Sequence, residues 1–333
     1  MVQELFEYGD IFSLESGESI KNLKICYHHT NNYKKGIPVI WICHALTANS
    51  NPQEWWDTMV GPGKLIDSNK FYVICVNMLT SCYGSSGPSS LNDNGEPYLL
   101  SFPQITVRDI VRSQNIIREH IGVDSIDLLI GGSIGGFQAL EWSVMYGSVV
   151  KNLALIACSA KISPWATAFN ESQRMALEAD LSFLEQRDIN GGKAGLRCAR
   201  SIALISYRSY SGYNLTQQDV DHGLLFANRA CSYQQYQGKK LADRFDAYSY
   251  YYLTKCVDSH DVSRFRGSIN EALGKVQARC AVIGINSDFL FPVHDQRELA
   301  SYINNSTLDV IESEFGHDGF LLEYEQLGVV LKN

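Results

Sequence analysis

The sequence predicts an α/β fold: a mostly parallel sheet with covering helices and an inserted helical lid. Three observations lead there. Short apolar runs alternate with helix-like segments between residues 38 and 157. A glycine-flanked serine, Gly131-Gly132-Ser133-Ile134-Gly135, sits between an apolar run and a helix-like one. Strand-like runs then return near residue 280 after a long stretch without them. A chain of 333 residues, 45% hydrophobic and 19% charged, is long enough for one large domain plus an insertion.

In chain order, Ile11-Phe12-Ser13-Leu14 and Leu23-Lys24-Ile25-Cys26-Tyr27 alternate in polarity and are expected to open the sheet as an antiparallel edge pair. Val39-Ile40-Trp41-Ile42-Cys43, Tyr72-Val73-Ile74-Cys75-Val76, Leu128-Leu129-Ile130 and Leu153-Ala154-Leu155-Ile156-Ala157 are apolar throughout, as strands covered on both faces are. Helical patterns lie between them at 105–121 and 138–145. From 163 to 275 the strand rhythm stops, with helix-like segments at 170–184 and 242–256. Cys280-Ala281-Val282-Ile283-Gly284-Ile285 and Leu308-Asp309-Val310-Ile311 restore the sheet, with helices expected at 295–303 and 320–331. The expected division is therefore a core of 1–162 and 276–333 and a helical lid of 163–275. With no repeat, low-complexity run or flexible linker, the lid should pack on the core.

Composition narrows the function. The 28 basic and 36 acidic residues are interspersed and leave a net charge of −8, which is no nucleic-acid footprint. A small anionic ligand would need local positive groups. Residues 1–7 lack the basic and apolar regions of a secretion signal, and no apolar run approaches the ~18 residues of a membrane span. A cytoplasmic protein without membrane partners is expected. The nine cysteines are scattered without C-x-x-C and read as small buried hydrophobes. With no H-E-x-x-H, cysteine cluster or carboxylate-rich loop, no metal is expected.

The glycine-flanked serine carries the chemistry. A strand turning sharply into a helix holds a side chain out over the end of the sheet, and glycines on either side relieve the crowding. A serine hydroxyl needs a base to take its proton, and that base, a histidine, needs an acid to fix its tautomer. Asp288 follows the strand ending at Ile285, and His317 lies between the last strand and the last helix. Ser133, Asp288 and His317 thus stand in the chain order of α/β-hydrolase triads. His28, His29 and His120 precede Ser133, His222 and His260 fall in the lid, and His294 begins a helix. His44 follows the first central strand, where hydrolases of this fold build half of an oxyanion hole, and reads as a loop-shaping residue. The two oxyanion donors are assigned to the backbone N–H groups of Leu46 and Ile134.

These residues, with several further segments, resemble the homoserine O-acetyltransferases. The resemblance runs through His44-Ala45-Leu46-Thr47-Ala48-Asn49, Asn77-Met78-Leu79, Cys82-Tyr83-Gly84-Ser85-Ser86-Gly87-Pro88 and Phe102-Pro103-Gln104-Ile105-Thr106-Val107-Arg108-Asp109. In the lid it takes in Ala168-Phe169-Asn170-Glu171, Tyr207-Arg208-Ser209 and Arg244-Phe245-Asp246-Ala247, and near the end Leu290-Phe291-Pro292 and Gly316-His317-Asp318-Gly319-Phe320-Leu321. It implies a ping-pong transfer of acetyl from acetyl-CoA, a cosubstrate, through acyl-Ser133 to the hydroxyl of L-homoserine, in methionine biosynthesis. It further implies that Arg208 holds the homoserine carboxylate, Asp318 its ammonium, and that the chain forms a homodimer through the lid. The lid would keep water from the acyl-enzyme. The chain departs from the family pattern at Thr80, where many relatives have glycine. Homoserine O-succinyltransferase and serine O-acyltransferase remain open within the family, and a small-ester hydrolase outside it. A non-catalytic binding protein would be expected to have lost part of the triad.

Overall fold

A computed structural model describes residues 1–221, 223–226 and 228–332. Its eight-stranded sheet comprises β1 (Val2–Tyr8), β2 (Leu23–His29), β3 (Val39–Cys43), β4 (Tyr72–Val76), β5 (Leu128–Gly132), β6 (Asn152–Ile156), β7 (Arg279–Ile285) and β8 (Ser306–Ile311). The spatial order is β1-β2-β4-β3-β5-β6-β7-β8; β2 pairs antiparallel with both β1 and β4, and the remaining pairs are parallel. From β3 the chain goes to β4 on one side, whereas from β5 it goes to β6 on the other. Loops at the carboxyl ends of β3 and β5 therefore diverge and open a crevice there, the usual ligand position in such sheets.

The interior strands are apolar because both faces are covered. Along β3, Val39, Trp41 and Cys43 enter one core cluster while Ile40 and Ile42 enter the cluster on the opposite face. Of the helices of seven residues or more, α1 (Val107–Ile121) and α2 (Ile134–Met145) pack against the first of these faces. Thr106 and Asp109 form a reciprocal capping box at the start of α1, and Gly122 ends it at φ +80°. Between β6 and β7 the described chain forms α3 (Pro164–Glu178), α4 (Lys193–Tyr207), α5 (Tyr210–Gln217), α6 (Arg229–Ala242) and α7 (Ala247–Asp258). After β7 come α8 (Val293–Tyr302) and α9 (Tyr324–Val330).

The N-terminal expectation needs correction. Phe12–Ser13 pairs with Ser19–Ile20 in a separate two-stranded ribbon, and the strand that opens the sheet is β1, in full register with β2 from Val2↔His29 to Tyr8↔Leu23. The segment expected as helix over 242–256 starts later, at Ala247, behind the N-cap Asp246. The cysteines also divide: six are buried, Cys82 is half-buried, and Cys198 and Cys231 are exposed. No helix among the described residues is long and apolar enough to cross a membrane.

Candidate active site

Ser133 occupies the turn between β5 and α2 at φ +59°, ψ −127°. That is a costly backbone for a residue with a Cβ, and it persists only where the surroundings over-determine it. Here they do. A Cβ on Gly131 would lie 2.2 Å from the carbonyl oxygen of Gly135, and one on Gly135 would lie 2.2 Å from that of Cys43. The helix can therefore start directly on the end of β3, and only glycine fits either contact. The Ser133 N–H donates to Ile156 O at 3.0 Å, so the turn is pinned from β6 as well.

Asp288 and His317 meet across the ends of β7 and β8: His317 Nδ1 lies 2.7 Å from Asp288 Oδ2. The other carboxylate oxygen accepts from the N–H groups of Leu290 and Phe291 at 2.9 and 3.0 Å, which fixes the carboxylate plane. Both side chains are buried. Burial pulls the imidazole pKa down, but the charge and hydrogen bond of Asp288, with the charge of Asp318, outweigh it and leave the pKa raised. His317 Nε2 is buried without a partner among the described residues, and its ring lines the same cavity as Ser133. A neutral imidazole so held can accept a proton from a hydroxyl in that cavity.

Leu46 and Ile134 both border Ser133 on a smaller cavity of about 30 Å³. Ile134 opens α2, where backbone N–H groups have no intrahelical acceptor and the helix dipole is positive. His44 is fully buried, and its ring bridges backbone groups: Nδ1 to Ala45 O at 2.9 Å, and Nε2 accepting from Met78 N–H at 3.0 Å. Burial holds its pKa down, at about 4, so it works neutral as a loop-shaping residue. From α2, the Gln138 amide donates to both His44 O and Ile134 O at 3.2 Å, tying the two segments together. His260 is likewise buried, stacked on Phe137 at 3.9 Å. His28 pairs with Ser50, His29 with Tyr72 and Glu4, and His222 lies outside the described residues.

Arg208 and Asp318 are brought together, at 3.3 Å, with Arg208 also donating to the Tyr233 hydroxyl at 3.2 Å. Gly316 makes this possible: at φ +64°, a Cβ there would lie 2.7 Å from Ser209 N and 2.8 Å from Arg208 C, so the helical segment rests directly on the His317 loop. Asp318 lines the Ser133 cavity, which measures about 560 Å³, whereas Arg208 lines a neighbouring one of about 380 Å³. Arg208 Nε is buried and has no partner among the described residues.

The larger cavity is also lined by residues without a role assigned from sequence: Arg200, Tyr207, Lys240, Arg244 and Tyr83. Arg244 crosses from the helical segment to donate to Thr47 O and the Tyr83 hydroxyl, both at 2.6 Å, one residue from Leu46. The available signal was its place in a matching segment; its partner could not be read. Thr80 is buried at φ +73°, with Oγ1 lacking a partner among the described residues. That left-handed backbone is where glycine is favoured and a β-branched residue is strained.

Residues 38–324 match the family model of the alpha/beta hydrolase fold. The homoserine O-acetyltransferase of Cyclobacterium marinum is 41% identical over all of this chain and 95% of its own length. The chain belongs to the homoserine O-acetyltransferase family of α/β hydrolases. Among solved structures, a homoserine O-acetyltransferase from Staphylococcus aureus superposes with a TM-score of 0.83 at 30% identity, covering 100% of this chain and 95% of that one. The homoserine O-acetyltransferase from Bacillus anthracis, at 22% identity, shares the fold with a TM-score of 0.90, covering 100% and 98%.

Proposed function

We propose that this chain transfers an acetyl group from acetyl-CoA to the side-chain hydroxyl of L-homoserine, in the cytoplasm, as a step of methionine biosynthesis. The observation that carries this reading is the Asp288–His317 pair at 2.7 Å, whose free Nε2 lines a cavity with Ser133, in a chain 41% identical to a protein named for that activity. Ser133 Oγ attacks the thioester carbonyl as His317 Nε2 takes its proton. The Leu46 and Ile134 N–H groups stabilise the alkoxide. Collapse expels the CoA thiolate, which leaves with the proton from His317 and an acetyl ester on Ser133. The homoserine hydroxyl then attacks that ester, giving its proton to His317, and the proton returns to Ser133 as O-acetylhomoserine departs.

In this reading the 163–275 segment acts as a lid. Arg208 exchanges its bond to Asp318 for the homoserine carboxylate, and Asp318 takes the ammonium, so a zwitterion fits between groups already paired at 3.3 Å. Arg208 Nε, which has no partner among the described residues, supports this role. A homodimer through the lid accords with its outward apolar side chains, among them Tyr210, Leu215, Val220, Leu225 and Phe226, all at least 77% exposed. The test is a purified-enzyme assay crossing L-homoserine or L-serine with acetyl-CoA or succinyl-CoA, and with no acceptor. Acetyl-CoA with homoserine should dominate; preference for succinyl-CoA or serine, or hydrolysis undiminished without acceptor, overturns the reading.

A further inference from the structure

The Ser133 cavity is far larger than the acceptor requires, and its charge is unlike that of the rest of the chain. The protein carries a net charge of −8, yet Arg200, Lys240 and Arg244 converge on this one cavity. Arg200 sits on α4, Lys240 near the end of α6, and Arg244 four residues further on; α4 and α6 pack side by side. Arg244 already has the Thr47 carbonyl and Tyr83 hydroxyl as partners. Arg200 lies over the Tyr207 ring at 5.5 Å, and neither it nor Lys240 pairs with a carboxylate among the described residues. The acidic lining residues are otherwise engaged: Asp318 with Arg208, and Glu54 with Asn49 and Asn51 at 2.7 and 3.0 Å.

Cations that outnumber the carboxylates of a concave site, here three to two, focus the field into it and raise the local concentration of a multiply charged anion. A thioester reaching Ser133 through this cavity carries its phosphate groups a pantetheine arm away from its reacting carbon, and the lining cations are the groups able to receive them. We propose that Lys240 and Arg200 form the subsite that binds the phosphate groups of the CoA thioester, with Arg244 adding charge while latching the lid to the Leu46 loop. This rests on the acetyl-CoA reading above. It assigns donor recognition to α4 and α6, separate from the Arg208–Asp318 pair that serves the acceptor. The subsite also explains how an acidic protein attracts a polyanion.

The test compares kcat/KM for acetyl-CoA with kcat/KM for S-acetylpantetheine, which carries the same thioester and no phosphate. Lys240→Ala should lower that ratio about tenfold, the cost of one charge-assisted contact. Lys240→Glu should lower it further, and Arg200→Ala combined with Lys240→Ala about a hundredfold if the two act independently. Arg200→Lys, which keeps the charge, should restore most of the ratio. A ratio unchanged in Lys240→Glu and in the double variant overturns the inference, as does an equal fall with both donors. A wild-type enzyme that uses S-acetylpantetheine as well as acetyl-CoA overturns the donor reading with it; a wild type that strongly prefers acetyl-CoA while the variants keep its ratio overturns the subsite alone.

Discussion

The serine turn and the helical segment face one another across a single cavity, and they are held by opposite means. Around Ser133, backbone lies on backbone: Gly131 against Gly135, Gly135 against Cys43, with no room for a methyl group at either. The helical segment shares the apolar core and touches the His317 loop at Gly316, but at the cavity it is tied through long side chains, Arg208 to Asp318 and Arg244 to Thr47 and Tyr83, and it turns large apolar residues outward. The first arrangement has one solution, and changes there act all or none. The second is adjustable, so changes there should grade affinity and substrate choice while leaving the fold alone. On the proposed reading, chemistry and specificity are carried by different parts of the chain.

The largest effect should come from the Asp288–His317 pair. Asp288→Asn should lower kcat by about 10³- to 10⁴-fold, as expected when a triad histidine loses the group that fixes its tautomer. The base must be neutral to accept a proton, so with His317 raised above its ordinary 6.5, activity falls as pH drops through that raised value. The acid limb of the kcat/KM profile should therefore lie above pH 6.5. In Asp288→Asn, burial is no longer opposed by that charge, and the limb should move to lower pH. A limb that does not move would detach Asp288 from the base.

Gly135→Ala should be nearly as severe, but on stability. A methyl 2.2 Å from the Cys43 carbonyl must displace β3 or α2, a cost of about 4 kcal/mol or more, read as a lower denaturant midpoint. If the variant instead unfolds like the wild type, the serine turn is not the rigid half. In the adjustable half, Arg208→Lys replaces a fork by a point charge and should raise the homoserine KM about tenfold with the denaturant midpoint held. A change in midpoint without a change in KM would reduce Arg208 to a lid ion pair. The smallest effect is expected at Thr80→Gly. Relief of the left-handed backbone contributes about 1–2 kcal/mol and the added chain entropy removes about 0.5–1 kcal/mol, so stability should rise by up to about 1.5 kcal/mol, measured by the same denaturation.

The same contrast decides what the sequence reveals. Ser133, Asp288 and His317 are legible because each follows a strand whose apolar residues the sequence shows, and strand ends on a parallel sheet share one edge. The rigid half is local, and its glycines appear in the sequence beside the residue they serve. β1 is not legible: an edge strand with most residues exposed carries no burial pattern to read. Nor is the adjustable half. The meeting of Arg244 with Thr47, or of Arg208 with Asp318, joins residues far apart in the chain through side-chain reach, and only the folded structure shows which cation faces which partner. Thr80 is intermediate, since its departure from the glycine of many relatives marks the position, while the positive φ supplies the reason.

The covalent passage of the acyl group through Ser133 is the claim on which both halves depend. Mixing the enzyme with acetyl-CoA in the absence of homoserine, quenching in acid and mapping the peptides by mass spectrometry tests it directly. The account predicts an acetyl group on Ser133, formed with release of CoA and discharged to O-acetylhomoserine when L-homoserine is added. An unmodified Ser133, with initial-rate lines that intersect rather than run parallel as both substrates are varied, would contradict it.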